Sequence, residues 1–225
     1  MAQMYTLHPT SPQPRQIAQI AKALRTGAVM LYPTDTTYAI GCDLQAKSAI
    51  QRVRHLKQLA TGKPLTFLCP SLTDIARYAP VSNEAYRIMR SLIPGPFTFL
   101  LPATKLVPQL VLDPKRKTTG IRVPDHHVCQ HLLAALENPI ISTSAYLPRF
   151  EEDESLTMQE VDTTITQVEL FDRFDRLVDI ILDDGSQPGT QVSTIVDLTE
   201  EPTIVRKGRG WERLVPWQLK EARVP

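Results

Sequence analysis

The chain lacks an excess of charge of either sign: among its 225 residues, 25 Lys and Arg face 24 Asp and Glu, a formal net charge of +1. Attraction to nucleic acid or to an anionic membrane therefore needs a local basic patch, and a histone-like or tail-like binder is excluded. Cysteine is scarce too. Cys42, Cys69 and Cys129 stand singly, with no CxxC pair and no even framework, which rules out a disulfide scaffold and leaves reduced, partly buried thiols as the expectation. Aromatic residues make up only 6% of the chain and supply few platforms for stacking nucleobases. No run approaches the roughly 18 apolar residues of a membrane span, and the opening MAQMYTLHPTSPQPRQ has no positive region followed by an apolar one. A soluble, cytoplasmic protein without a membrane partner is expected.

The familiar catalytic templates are missing as well. Thr61-Gly62-Lys63 runs into Pro64 without the upstream glycine that shapes a phosphate cradle, and GxGxxG, GxSxG and HExxH are all absent. His126, His127, Cys129 and His131 form a tempting metal cluster, since His127 and His131 are spaced i,i+4. The helix there needs Val128, Leu132, Leu133 and Leu136 for its buried face, which leaves the histidines on a solvated rim and no metal site. The acidic run Glu151 to Glu154 reads as a surface loop for the same reason: consecutive carboxylates seldom converge unaided.

What is present is a 42% hydrophobic chain, enough for one core, read as a single domain over 1–225 with its core at about 14–208 and a tail at 209–225. Ile17, Ile20, Ala21 and Leu24 recur at helical spacing and Gly27 follows as a left-handed stop. Ala28 to Tyr32 predicts a buried strand, Pro33 to Thr37 a polar turn, and Ala46 to Gln58 a helix. Further strands are expected at Leu65 to Cys69, Phe97 to Leu101, Gly120 to Val123, Ile140 to Thr143, Asp179 to Leu182, Val192 to Asp197 and Thr203 to Arg206. Helices are expected after Ser71 and Ser82, at Val128 to Leu136 and around Met158 to Phe174. The alternation predicts an α/β fold, and the adjacent strands near the C-terminus predict a mixed rather than wholly parallel sheet.

The chemistry-bearing residues that remain are dispersed cations and hydroxyls near strand ends: Thr34, Thr36, Lys57, Lys63, Thr118, Arg122, Ser142, Ser144, Ser193, Thr194 and Arg206. They suit anion binding. Arg122 and Arg206 sit in apolar strands and are expected to face one side of the sheet, where an arginine is costly without a partner. Either an external carboxylate or phosphate satisfies them, or Asp35, Asp43 or Asp197 does so from within.

These residues fall in segments that resemble the YrdC-like family, whose best-known members are the threonylcarbamoyl-AMP synthases. The resemblance rests on Pro33-Thr34-Asp35-Thr36-Thr37-Tyr38, Leu56-Lys57-Gln58 leading to Lys63-Pro64-Leu65, Pro94-Gly95-Pro96-Phe97-Thr98, Gly120-Ile121-Arg122-Val123-Pro124, Ser142-Thr143-Ser144-Ala145, Ser193-Thr194-Ile195-Val196-Asp197 and Arg206-Lys207-Gly208, in that order. It implies an α/β fold with an open, twisted, mixed sheet flanked by helices and a large basic concave face, and a synthase reaction that joins ATP, L-threonine and bicarbonate for tRNA modification, with Mg²⁺ on the phosphates. By the same resemblance Lys57, Arg122 and Arg206 are the catalytic set. Thr34 and Arg122 hold threonine with Ser144 and Ser193 nearby, while Lys57, Thr118, Ser142 and Arg206 face the nucleotide; Thr36, Lys63 and Thr194 complete the substrate-binding set.

This chain departs from the synthase pattern at Leu59, where Lys-x-Arg is expected, at Tyr146, where Ser-x-Asn is expected, and at Leu68, where many synthases carry histidine. Those losses, with Lys115-Arg116-Lys117-Thr118 leading into β-forming sequence, resemble the YciO branch of the family and imply a weakened synthase. The alternative is a double-stranded RNA-binding protein using the same concavity, with Lys105, Lys115, Arg116, Lys117, Lys207 and Arg209 as peripheral contacts, or as an ordinary solvated surface. Trp211 and Trp217, close to Leu214, Val215 and Leu219, predict a tail docked on its own domain.

Overall fold

A computed structural model of the chain describes residues 1–59, 63–146 and 165–222. In chain order the elements are β1 (Gln3–Thr6), α1 (Pro14–Arg25), β2 (Met30–Tyr32), β3 (Ala39–Asp43), α2 (Lys47–Leu56), β4 (Thr66–Leu68), α3 (Leu72–Tyr78), α4 (Asn83–Leu92) and β5 (Phe97–Pro102). There follow β6 (Thr118–Arg122), α5 (His127–Leu136), β7 (Ile140–Ser144), α6 (Gln167–Phe174), β8 (Ile180–Asp183), β9 (Thr194–Asp197), β10 (Thr203–Arg206), a 3-10 helix (Trp211–Trp217) and β11 (Lys220–Glu221). All strands join one eleven-stranded sheet in the order β1-β8-β2-β3-β7-β4-β6-β5-β9-β10-β11. It is mixed: β1/β8, β8/β2, β4/β6, β5/β9 and β10/β11 pair parallel, the rest antiparallel.

Local chemistry sets the helix ends. Pro14 opens α1, where its missing N–H would be unpaired in any case, and Gly27 closes it at φ +97° with Ala28 N–H donating back to the Ala23 carbonyl. Ser71 and Ser82 cap α3 and α4 by accepting from Asp74 and Ala85 N–H at 3.3 and 3.1 Å, and Thr166 with Glu169 forms a reciprocal capping box at α6. Of the helix expected around Met158 to Phe174, α6 is the part within the described residues; the acidic run Glu151 to Glu154 lies outside them.

The sheet has two unequal faces. On one, Phe67, Phe97, Phe99, Ile121 and Ile141 pack continuously beneath α2, α3, α4 and α6. On the other, α1 and α5 cover only part of the surface, burying Met30, Tyr32, Leu68 and Ile140. Ile20, Leu24, Leu132 and Leu68 are essentially inaccessible in this second core, each such side chain contributing about 1.5–3 kcal/mol by leaving water. Within β7, the side that is apolar under α5 at Ile140 becomes hydroxyl at Ser142 and Ser144, where cover ends.

One expectation is corrected. Pro33 to Thr37 was expected to lead from strand to helix, but it closes an antiparallel hairpin: β2 pairs with β3, Met30 opposite Gly41 and Tyr32 opposite Ala39, and α2 follows only afterwards. All five residues of β3 are buried, so the strand carries no polar alternation to betray it. Cys42, Cys69 and Cys129 are free thiols, fully buried rather than partly so. The tail docks as expected, with Leu214 buried and Trp217 and Leu219 packed against the main core. Among the described residues no helix is long and apolar enough to cross a membrane.

Candidate functional site

The part of the second face that the described residues leave uncovered is floored by small and hydroxyl-bearing side chains. The register sets Gly41, Ser142, Thr66 and Gly120 opposite one another across β3, β7, β4 and β6. A side chain at Gly120 would meet Thr66 Oγ1 at 2.7 Å, so glycine there keeps the floor low. Alternation along β6 puts Thr118 and Arg122 on the side of Gly120, and Thr98 lies there too, away from Phe97 and Phe99.

Arg122 is buried, and the question of its partner resolves to an internal one. Its Nη2 donates to Asp35 Oδ1 at 2.5 Å, its Nη1 to Thr36 Oγ1 at 2.9 Å and its Nε to the Gly95 carbonyl at 3.4 Å. Asp43 is engaged instead by Gln45 and Asn138, and Asp197 by Arg116. The second oxygen of Asp35 is buried with no hydrogen-bond partner among the described residues, a costly state for a carboxylate. Thr34 Oγ1 donates to the Thr37 carbonyl at 2.7 Å and accepts from Thr36 N–H at 3.1 Å, fixing the curl of the loop that presents Asp35 and Thr36.

Arg206 reaches the same face by an irregularity. Ile204 pairs with Val196 on the core side, whereas Arg206 pairs with Ile195, because the register shifts at Val205. A bulge of this kind inserts one residue and re-aims the side chain beyond it. Arg206 then donates from Nε and Nη2 to the Ser193 carbonyl at 3.1 and 2.8 Å, while Ser193 Oγ lies 3.0 Å from Thr98 Oγ1. No carboxylate among the described residues pairs with Arg206. Burial and the neighbouring Arg122 guanidinium together hold its acidity above that of a free arginine, lowering its pKa.

Lys57, at the C-terminal end of α2, points its ammonium at the end of β7 and donates to the carbonyls of Ser144, at 3.0 Å, and Tyr146. Burial, reinforced by Lys63, pushes its pKa down to about 8. Ser142 Oγ accepts from Tyr32 OH at 2.8 Å. Thr194 is turned inward: it is fully buried, donating to the Arg209 carbonyl and accepting from Gly208 N–H. Lys63 is exposed and Thr118 buried at the foot of β6. The structure thus links Thr34, Thr36 and Arg122 by hydrogen bonds, and Arg206 with Ser193 as a neighbouring group on the same face. Lys57 comes from α2 on the main-core side and meets the end of β7 through main-chain carbonyls, while Ser142 and Ser144 lie on the open face.

Of the departing residues, Leu59 packs against the main core and Leu68 is fully buried in the second one. Several expected peripheral cations have internal partners. Arg116 is bound to Asp197 at 2.6 Å, Lys207 to Glu221 at 2.5 Å with its ammonium 4.4 Å from the Trp211 ring centroid, and Arg209 to the Asp35 carbonyl. Lys105, Lys115 and Lys117 stay exposed. His127 and His131 lie on the rim as expected, but His126 does not: its side chain is only 14% exposed and its Nε2 lies 3.1 Å from Asp184 Oδ2. Nothing in the spacing of those histidines could have revealed a partner from the far end of β8. Among the described residues no three His, Cys, Asp or Glu side chains converge as a metal cage.

With that geometry in hand, the relatives are informative. A family model described as Sua5/YciO/YrdC, telomere recombination, matches residues 22–208. The protein YciO of Escherichia coli K12, described as uncharacterized, is 40% identical over 93% of this chain and 97% of its own. Its crystal structure superposes with a TM-score of 0.81. A threonylcarbamoyl-AMP synthase of Vibrio campbellii is 30% identical over 86% of this chain and all of its own length. P. abyssi Sua5, solved in complex with L-threonine, shares the fold at a TM-score of 0.75 and 24% identity, over 91% of this chain and 57% of its own. Matched by that model over most of its length and 40% identical to YciO, the chain belongs to the Sua5/YciO/YrdC family.

Proposed function

We propose that the open face binds ATP and L-threonine and catalyses, slowly, the formation of threonylcarbamoyl-AMP. The observation that carries this reading is Arg206: a half-buried guanidinium, aimed by a bulge at the side of Arg122, with no carboxylate partner among the described residues. An arginine so placed is satisfied by a phosphate or carboxylate brought from outside. In the reaction, the threonine amine and bicarbonate condense to a carbamate with loss of water. A carbamate oxygen attacks the α-phosphorus of ATP, the α–β bridging bond breaks, and pyrophosphate leaves with the bond's electron pair. The protein need supply no nucleophile, since positioning and charge stabilisation suffice for phosphoryl-type transfer. Arg206 and Ser193 hold phosphate oxygens, and the Thr34–Thr36 loop with Arg122 holds the amino acid. When present, Mg²⁺ travels with the ATP phosphates and neutralises their charge; the described residues offer it no carboxylate cage of their own.

Slowness follows from two features. Lys57 spends donors on main-chain carbonyls, and a half-buried leucine, Leu59, packs against the main core where a second cation is expected. Both cut the positive charge available to pyrophosphate. The test is threonylcarbamoyl-adenylate formation by purified protein given ATP, Mg²⁺, threonine and bicarbonate, beside an authentic synthase. Product that requires all the substrates and disappears in Arg206→Ala supports the reading; no product above that variant's background overturns it. Salt-dependent binding of duplex RNA in the absence of product would reassign the face to RNA.

A further inference from the structure

We propose that His126 is a positioning residue for the open face, acting through Asp184 and the segment 184–190 on the loop that carries Asp35 and Thr36. Among the described residues the His126 side chain bonds to Asp184, whose own side chain is 3% exposed. Asp184 Oδ1 in turn accepts from Ser186 N–H at 3.0 Å and from Ser186 Oγ at 2.5 Å, pinning the first turn after β8. The Ser186 carbonyl accepts from Tyr38 OH at 3.3 Å and from Gln167 Nε2 at 3.1 Å; that amide also donates to Asp183 Oδ1 at 2.9 Å. Three residues further on, the backbone at Gly189 lies so close to Thr36 that any side chain there would overlap the Thr36 carbonyl outright. The segment is therefore a strap, clamped at one end by His126 and Gln167 and resting at the other on the residue that binds Arg122 Nη1.

Two further observations favour positioning over mere support. His126 Nδ1 is buried without a hydrogen-bond partner among the described residues, an expense that an apolar residue of similar size would avoid. What the imidazole adds over such a residue is a donor aimed at Asp184. The same helix also grips the loop's start, since Cys129 Sγ donates to the Pro33 carbonyl at 3.3 Å. Helix α5 thus holds the loop directly at Pro33 and indirectly, through the strap, at Thr36.

The proposal rests on the open face being the binding site, and its test separates the two. Amide hydrogen exchange of the free protein is compared for wild type, His126→Phe and His126→Gln, the glutamine keeping a donor near the position of Nε2. His126→Phe is expected to speed exchange at least tenfold in peptides covering 33–38 and 184–190, leaving 97–102 and 194–206 unchanged, with His126→Gln restoring protection. Unchanged loop protection, or acceleration spread evenly over the chain, overturns it. Should His126→Phe fail to fold, Asp184→Asn is put to the same comparison with the same criteria. In parallel, the affinity for L-threonine is measured by calorimetry, with a tenfold loss in His126→Phe recovered in His126→Gln. If wild type binds no threonine, the functional reading falls while the exchange data still decide whether His126 sets the loop.

Discussion

Ile204 and Arg206 stand two residues apart on one strand yet face opposite sides of the sheet, Ile204 opposite Val196 in the core and Arg206 opposite Ile195 on the open face. A regular strand would have buried both on one side. The bulge at Val205 separates a packing residue from a binding residue.

Arg206→Ala is expected to weaken ATP binding at least tenfold, about 1.4 kcal/mol. The thermal midpoint should stay the same or rise, because the lost group is a half-buried cation without an acidic partner among the described residues. Calorimetry and thermal unfolding on the same sample check both halves.

Asp35→Ala leaves Arg122 charged, buried and unpaired. Removing one member of a buried pair costs about 3 to 5 kcal/mol, and urea unfolding should show a loss in that range. Replacing Arg122 and Asp35 together by Met and Leu should recover most of the stability and none of the ligand binding.

Gly189→Ala forces the strap off the Thr36 carbonyl. Overpacking of this kind costs about 1–3 kcal/mol. The expected signature is a lowered denaturation midpoint together with weakened threonine binding, read by titration of the folded variant.

Acid stability should depend on Asp184 and Asp197. Burial raises each carboxyl, but hydrogen bonds from His126 and Ser186 in one case, and from Thr199 and Arg116 in the other, outweigh it and hold both below the ordinary carboxylate value. A lowered folded-state pKa means stabilisation that is complete above the unfolded value of about 3.9 and is lost as pH falls through the folded one. Asp184→Asn and Asp197→Asn should each flatten the stability decline below about pH 4, measured by urea midpoints across the acid range.

Lys57 acts in the opposite limb. With its pKa lowered to about 8, the folded protein releases a proton that the unfolded chain keeps until about 10.4, so stability rises with pH between those values. Lys57→Met should abolish that rise, and its denaturation midpoint at pH 7 should not fall below that of wild type.

Much of the fold was legible because its signals are local. Ile17, Ile20, Ala21 and Leu24 mark one helical face, Gly27 ends it, and Thr203 to Arg206 was placed to the residue. Strand β3 was not, since Ala39 to Asp43 is buried on both sides and carries neither period. Edge strand β11 has only two residues, and β1 buries Tyr5 alone, so neither shows a period. In the site, Arg122 and Arg206 could be named as cations in apolar strands, but the choice of Asp35 over Asp43 and Asp197 depends on a hairpin loop meeting a strand 87 residues away. The His126–Asp184 pair joins the start of α5 to the end of β8, and no spacing rule connects them.

The end of the sheet has a consequence for the chain in crowded solution. Its last strand, β11, is two residues long, both exposed, with Lys220 tied to Glu201 and Glu221 to Lys207. Unpaired backbone at a sheet edge is a template on which another chain can add a strand, and brevity with charge is a natural defence. Along β11 itself, two paired charges over two residues of backbone disfavour the addition of a neighbouring strand.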